Sequence, residues 1–246
     1  MMTPETRELF VRGANAALAA RAALAADALT LGQIEKFDRY GDILLKWNSV
    51  MNLTAVTDEK EIVIKHYVDS LTVLPYIDRS GAKNFADIGT GAGFPGIPVK
   101  IMRPDLHVLL LDSLAKRVNF LNEVISELGL KGIRAVHMRA EDAGRDPKFR
   151  EKFDCAAARA VAPMNILLEY CMPFVRKDGL FIAMKGASAE EPYDRALSEL
   201  CGKTESDDVF TLPESDFTRR IICVRKTNFL STRYPRQAGI PRKKPL

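Results

Sequence analysis

The sequence FADIGTGAGFPGIPVKI, residues 85–101, is the stretch that indicates the fold most clearly. The apolar run at its start predicts a β-strand, and a helix is predicted to begin near Pro95 or Gly96. Between them lie three alternating glycines, Gly89, Gly91 and Gly93. Glycine lets the backbone turn sharply and approach a ligand without an intervening Cβ. The stretch therefore predicts a ligand-binding loop at the carboxyl end of the first strand of an α/β sheet.

An acidic residue follows the loop at the position expected of a ribose-binding side chain. Asp112 closes the next apolar run, about twenty residues downstream, and Ser113 comes directly after it. A carboxylate there can accept hydrogen bonds from ribose hydroxyl groups. The spacing therefore predicts a nucleoside-containing cofactor whose ribose lies beside Asp112.

Two cofactors are compatible with this loop. Gly91, Gly93 and Gly96 satisfy the dinucleotide-binding spacing, which predicts an NAD-dependent oxidoreductase. The glycines also follow an acid, Asp87, in the order found in Rossmann-like methyltransferases. A carboxylate favours the cationic groups of S-adenosylmethionine and repels a pyrophosphate. Charge therefore favours the methyl donor, and the glycines alone leave NAD open.

The rest of the chain divides into a helical and an alternating part. Thr30 is a candidate N-cap, and apolar residues recur at helical spacing from Ile34 to Leu45 and from Glu61 to Ile77. Residues 1–80 are therefore predicted to form a helical N-terminal cap. Residues 81–246 are predicted to form one α/β domain with a mostly parallel, doubly wound sheet. Its strands are predicted at 84–88, 107–112, 133–138, 153–158, 179–185 and 221–225, and its clearest helix at 113–128.

Composition indicates a folded cytoplasmic protein. The 246 residues are 47% hydrophobic, which permits a large core, and Glu5 and Glu8 oppose a secretory signal. No apolar run is long enough to predict a membrane span. The four cysteines are widely spaced, without a metal-binding pattern, and are expected to be reduced core thiols.

The final segment is strongly basic. From Arg219 onward the chain contains nine Lys and Arg residues and no Asp or Glu, so the remainder carries a net charge of −5. Such a segment suits a polyanion, although a merely solvated tail is the alternative. Pro235, Pro241 and Pro245 predict an extended, non-helical strap, which we expect to contact RNA phosphates at some distance from the cofactor.

Several motifs together resemble one family. They are KWNSVMNLTAV at 46–56, HYVDSL at 66–71, DIGTGAGFPGIP at 87–98, LLDSLAKRVNFL at 110–121, RAE at 139–141, ARAVAP at 158–163, MKG at 184–186 and YPRQAGIPRKKPL at 234–246. In this order they resemble the bacterial 16S ribosomal RNA 7-guanine methyltransferases, the glucose-inhibited division protein B family. The resemblance covers roughly residues 31–246 and leaves the first thirty residues without a role.

The resemblance implies a class I, Rossmann-like methyltransferase that moves a methyl group from S-adenosylmethionine to guanine N7. The substrate would be 16S ribosomal RNA, a 30S subunit or an assembly intermediate. Cofactor-binding positions implied by the family are Gly89, Phe94, Ala140, Glu141 and Arg159. Asp87, Gly91, Asp112 and Ser113 join them from the loop pattern.

Basic residues and one histidine are candidates for RNA contact. The set comprises His66, Lys116, Arg117, Lys185, Arg233, Arg236, Arg242, Lys243 and Lys244. Solvated or ion-paired side chains are the ordinary alternative for each lysine and arginine, and His66 with Asp69 is as compatible with a structural pair. Guanine N7 carries no proton, so we expect neither a general base nor a metal.

Two other functions remain compatible with the sequence. One is the NAD-dependent oxidoreductase, and the other is an RNA-binding ribosome-assembly factor without turnover. Both share the predicted fold, and fold alone does not assign function.

Overall fold

A seven-stranded sheet forms the centre of the protein. The computed structural model describes residues 2–19, 29–186 and 192–246. The strands are β1 (Asn84–Ile88), β2 (His107–Asp112), β3 (Ile133–His137), β4 (Phe153–Arg159), β5 (Val175–Gly186), β6 (Gly202–Thr211) and β7 (Thr218–Lys226). They run in the order β3-β2-β1-β4-β5-β7-β6. Strands β1 to β5 are parallel, whereas β7 is antiparallel to both β5 and β6. The predicted Rossmann-like, mostly parallel α/β sheet is confirmed.

The helices are short, apart from three. They are α1 (Pro4–Leu18), α2 (Leu31–Asn48), α3 (Glu59–Ile62), α4 (Asp69–Leu71), α5 (Leu74–Ser80), α6 (Gly96–Met102), α7 (Ala115–Glu127), α8 (Ala140–Ala143), α9 (Met164–Cys171), α10 (Asp194–Glu199) and α11 (Ile240–Lys243). A π-helical segment, Val63–Val68, joins α3 to α4. None of the helices that the structure describes is long and apolar enough to span a membrane.

The N-terminal helices pack onto the sheet through aromatic side chains. Phe10, Phe37, Tyr40 and Tyr67 are all fully buried, and the Tyr40 ring lies 5.2 Å from the Phe94 ring. The cluster joins the core beneath the glycine loop, so helices α1 and α2 share one hydrophobic core with the sheet. Residues 20–28, which fall within the predicted helical cap, lie outside the described residues.

The chain order places a crevice beside β1. Successive crossovers build the sheet outward from β1 through β2 to β3, and the next strand, β4, pairs on the other side of β1. Ligands of open α/β sheets bind outside the carboxyl ends of the strands at such a reversal. The glycine loop follows β1 at this point.

Four predictions from the sequence need correction. Strand β6 was missed because its exposed segment, GKTESDDVFT, lacks an apolar pattern and pairs through its backbone at the sheet edge. The helix predicted from Glu61 to Ile77 is divided into the end of α3, the π-helical segment, α4 and the start of α5, and Pro75 occupies the first turn of α5. The C-terminal strap, predicted to be non-helical, contains the short helix α11. Pro241 lies in the first turn of this helix, where proline is tolerated. Cys201 is only partly buried, unlike the other three free cysteines.

Candidate functional site

The glycine loop requires backbone conformations that other residues adopt rarely. The φ angles of Gly89, Gly91 and Gly93 are +71°, +60° and +94°. A Cβ on Gly89 would lie 2.8 Å from Val161 Cγ2, whereas a Cβ on Gly91 would meet no heavy atom within 4 Å. The alternating glycines therefore permit the turn, and at Gly89 also a close approach to Val161.

Asp87 holds this loop from below. Its Oδ2 accepts hydrogen bonds from Thr90 Oγ1 at 2.6 Å and from the Gly96 backbone N–H at 2.8 Å. Its Oδ1 is buried and has no hydrogen-bond partner among the described residues. Burial raises the pKa of the Asp87 carboxyl to about 6. Asp87 therefore shapes the loop from a fully buried position and does not line the cavity described next.

Asp112 ties the loop to the end of β2. One carboxylate oxygen accepts from the Gly91 N–H at 2.9 Å, and the other accepts from the Leu114 N–H at 2.9 Å. Arg117 approaches the first oxygen at 3.4 Å. A carboxylate offers about four acceptor positions, so these contacts leave room for a further donor from a ligand.

A cavity of about 700 Å³ opens at the carboxyl ends of β1, β2 and β3, and we refer to it as the cofactor cavity because residues predicted to bind a cofactor meet there. It brings together five of the predicted cofactor residues: Gly89, Asp112, Ser113, Ala140 and Glu141. Gly91, Phe94 and Arg159 do not line it, although Gly91 is bonded to Asp112. Arg139 and Tyr170 also line it and were not predicted as site residues; Arg139 begins the RAE motif at 139–141, whereas nothing in the local sequence distinguishes Tyr170.

The C-terminal strap closes one side of this cavity. Gly239, Arg242 and Lys243 line it, and the Gly239 N–H donates to Glu141 Oε1 at 2.8 Å. The strap therefore lies beside this cavity, whereas the sequence predicted a strap at some distance from the cofactor. The linear sequence could not show that α11 returns to the strand ends.

A second cavity of about 380 Å³, the basic cavity, adjoins the first, and Ala160 belongs to the walls of both. Its other lining residues are Lys65, His66, Asp69, Arg159, Met184, Lys185, Gly186 and Arg219. Arg159, which the family resemblance implies as a cofactor-binding position, thus faces this second cavity at the end of β4.

Asp69 organises the charges of the basic cavity. Arg159 Nη1 lies 2.8 Å from one of its oxygens, and Arg219 Nε lies 2.8 Å from the other. The Arg159 guanidinium also stands 5.1 Å above the centre of the Phe94 ring. Phe94 is buried, and its ring packs against both Arg159 and the neighbouring His66.

His66 is held as a neutral ring. Burial, followed by the positive charge of Arg159, lowers the pKa of His66 to about 4. Its Nδ1 lies 3.4 Å from Arg159 Nη2, and its Nε2 lies 2.8 Å from Thr54 Oγ1. Because the guanidinium can only donate, Nδ1 must accept and Nε2 must carry the proton. The ring stacks on Phe94 at 4.6 Å.

The remaining RNA candidates differ in their exposure and in their partners. Lys185, on the basic cavity, donates to the Ala162 carbonyl at 2.8 Å, and Arg117 faces the cofactor cavity. Arg236 forms an ion pair with Glu169 at 2.5 Å. Three others, Lys116, Arg233 and Lys244, are exposed at separate positions.

The chain is similar to known proteins over most of its length. Residues 33–214 match the family model of the rRNA small subunit methyltransferase G, GidB. Proteins named ribosomal RNA small subunit methyltransferase G from Acetivibrio thermocellus and Thermoanaerobacter sp. are 54% and 48% identical to the chain. These alignments cover 87% and 89% of this chain and 89% and 92% of the relatives.

Solved structures support the fold at low sequence identity. A geranyl diphosphate methyltransferase in complex with S-adenosylmethionine aligns with 71% of this chain and 92% of its own, at a TM-score of 0.54 and 13% identity. A geranyl diphosphate C-methyltransferase from Streptomyces coelicolor covers 76% and 98%, with the same TM-score and identity. The agreement of family model, relatives and sheet topology shows that the chain belongs to the rRNA small subunit methyltransferase G family.

Proposed function

We propose that this protein transfers the methyl group of S-adenosylmethionine to N7 of a guanine in 16S ribosomal RNA. The observation that carries the proposal is the pair of adjoining cavities that meet at Ala160. One contains Asp112, which would accept hydrogen bonds from a ribose, and the other is basic. The names of the relatives and the methyltransferase fold support the reaction type and the RNA substrate.

The residues of the cofactor cavity fit S-adenosylmethionine. A volume of about 700 Å³ suits a nucleoside-sized ligand, and a ligand can approach Gly91 because no side chain occupies that space. Asp112 would accept from the ribose hydroxyl groups, with Ser113 beside it, and Ala140 and Glu141 would form the wall beyond β3. The buried Asp87 carboxylate opposes a pyrophosphate beneath the loop, which disfavours NAD. When bound, the cofactor supplies an electrophilic methyl group.

The basic cavity would receive the guanine. Guanine N7 has a lone pair and no proton, so the protein needs to align the base rather than deprotonate it. Alignment of two reactants can lower a barrier by roughly 7–11 kcal/mol. A neutral His66 adds no positive charge next to a base that becomes cationic as the methyl group is transferred. Arg159 and Lys185 provide donors for the acceptor edge of guanine or for a phosphate.

The target must be accessible for this chemistry. The N7 edge of a paired guanine lies in the deep, narrow major groove of A-form RNA, which side chains cannot enter. The substrate is therefore an unpaired or splayed guanine in a loop, a 30S subunit or an assembly intermediate.

Calorimetric titration with S-adenosylmethionine and with NAD tests the cofactor. Binding of the first alone supports the proposal, and binding of NAD alone would indicate the oxidoreductase. Labelled methyl transfer to 16S RNA and to 30S subunits, with mass mapping of the product, then tests the target. Cofactor and RNA binding without transfer would indicate a non-catalytic assembly factor.

The pH dependence tests the absence of a general base. Single-turnover methyl transfer should be nearly constant from about pH 6.5 to 8.5, because neither guanine N7 nor His66, whose pKa is about 4, changes protonation there. A tenfold rise per pH unit across this range would contradict alignment as the mechanism.

A further inference from the structure

One exposed aromatic side chain stands at the rim of the basic cavity. Phe217 precedes β7 in the turn from β6 and is 42% exposed. The second residue of β7, Arg219, pairs with Gly186 at the carboxyl end of β5. Phe217 therefore lies at the same end of the sheet as both cavities.

Two cations of the basic cavity flank this ring. Lys65 Nζ lies 5.0 Å from the ring centre of Phe217, and Arg219 Cζ lies 5.7 Å from it. Both side chains also line the basic cavity, so the ring and the cavity share their charged wall.

The turn that presents the ring is fixed by hydrogen bonds. The Phe217 N–H donates to Ser215 Oγ at 3.2 Å, and the Phe217 carbonyl accepts from the Leu212 N–H at 2.8 Å. Arg219 is held by Asp69 at 2.8 Å, and Lys65 bonds to Glu61 at 2.6 Å. The aromatic ring and its cations thus form a preorganised surface, which reduces the entropic cost of ordering it on binding.

We propose that Phe217, Lys65 and Arg219 form a stacking platform for an RNA base next to the guanine in the basic cavity. Proteins that bind single-stranded nucleic acid combine an aromatic ring, on which a base stacks, with cations that track the phosphates. The platform holds the base that neighbours the splayed guanine and so keeps the strand at the cavity mouth. The inference rests on the proposed function for the identity of the neighbouring guanine.

The chain offers a matched control for this platform. Phe229 is 66% exposed and has Lys177 Nζ 6.0 Å from its ring centre. It follows the end of β7, which pairs with the beginning of β5, so it lies at the opposite end of the sheet from the cavities. It reproduces the ring and the cation without the neighbouring cavity.

The experiment compares Phe217→Leu, Phe217→Tyr and Phe229→Leu. Leucine keeps apolar contact in the turn but cannot stack a base, whereas tyrosine keeps the ring. Binding is measured with a short single-stranded RNA that carries 2-aminopurine beside a guanine, whose fluorescence reports stacking. We expect Phe217→Leu to weaken RNA binding about fivefold or more and to lose the fluorescence quenching. Phe217→Tyr and Phe229→Leu should bind as the wild type does, and S-adenosylmethionine affinity should be unchanged in all three.

Wild-type RNA affinity and quenching in Phe217→Leu would overturn the platform, as would an equal loss in Phe217→Tyr and Phe217→Leu. An equal loss in Phe229→Leu would also overturn it, because the effect would then be independent of the cavity. Methyl transfer to guanine is measured separately. If the wild type shows no transfer while Phe217→Leu alone loses RNA binding, the proposed function fails and the platform stands.

Discussion

At the scale of single residues, Asp87 is unusual because one of its carboxylate oxygens has two donors and the other, also buried, has no partner among the described residues. The raised pKa, about 6, means that the folded protein binds a proton more tightly than the unfolded chain does. This contribution to stability is complete below the unfolded value, 3.8, and is lost as the pH rises through about 6. At neutral pH the glycine loop is therefore held by the ionised carboxylate of Asp87, although burial disfavours the ionised form.

Asp87→Asn should remove this pH dependence. Between about pH 4 and pH 7, the difference in free energy of unfolding between wild type and variant should change by up to about 3 kcal/mol in favour of the variant. Denaturant titration at several pH values measures the difference, and exposed Asp216→Asn serves as the control. A difference that does not vary with pH would mean that Asp87 does not titrate in this range.

Asp112→Ala should weaken S-adenosylmethionine binding by roughly 1.5–3 kcal/mol, because charge-assisted hydrogen bonds to the ribose are lost. The substitution also frees the Gly91 and Leu114 N–H groups, which loosens the loop. Asp112→Asn separates the effects, since its amide oxygen can still accept one of these bonds. Calorimetry measures both variants, and an unchanged dissociation constant in Asp112→Ala would remove Asp112 from the cofactor site.

At the scale of elements, helix starts and buried strands are encoded locally. Thr30 was a candidate N-cap because it precedes an apolar helical pattern, and in the structure it forms a reciprocal capping box with Gln33. Strands β1 and β2 are buried along most of their length, so their apolar runs identified them. Strand β6 is mostly exposed and depends on pairing with β7, so no local signal marked it.

Thr30→Ala should destabilise the protein by about 1 kcal/mol, because the side chain no longer accepts from the Gln33 N–H. Thr30→Ser keeps an acceptor oxygen and should lose little. Thermal unfolding followed by circular dichroism compares the two variants. Equal melting temperatures for Thr30→Ala and the wild type would show that the cap contributes nothing to the global transition.

At the scale of the whole molecule, the C-terminal strap is fastened to the α/β domain by a buried ion pair. The Glu169 carboxylate is fully buried in α9, and it accepts from both the backbone N–H and the guanidinium of Arg236. The bond from Gly239 to Glu141 continues this attachment along the cofactor cavity. The basic residues of the segment therefore do more than supply positive charge, since Arg236 attaches the strap to the α/β domain.

Arg236→Ala should lower the free energy of unfolding by about 3–5 kcal/mol, because it leaves the Glu169 carboxylate buried without its guanidinium. Arg233→Ala, at an exposed position nearby, should change stability by less than about 0.5 kcal/mol. Denaturant titration compares them. Similar stabilities for the two variants would mean that the strap relaxes and exposes Glu169 to solvent.

Local sequence was sufficient to predict the sheet class, the glycine loop and the acid that follows it. Each depends on neighbouring residues: a buried strand needs an apolar run, a tight turn needs glycine, and Asp112 is fixed by the end of its own strand. The family motifs added predicted cofactor-binding positions near the ends of β3 and β4. The structure places two of them, Ala140 and Glu141, on the cofactor cavity.

Contacts between segments that are distant in the chain could be seen only in the folded protein. Arg159 faces the basic cavity because Asp69, on an N-terminal helix, attracts it together with Arg219 from β7. The strap reaches the cofactor cavity through Glu141, and Phe217 reaches the basic cavity through the antiparallel pairing of β5 and β7. These contacts join residues far apart in the chain, and their energies depend on burial and pairing that no local pattern specifies.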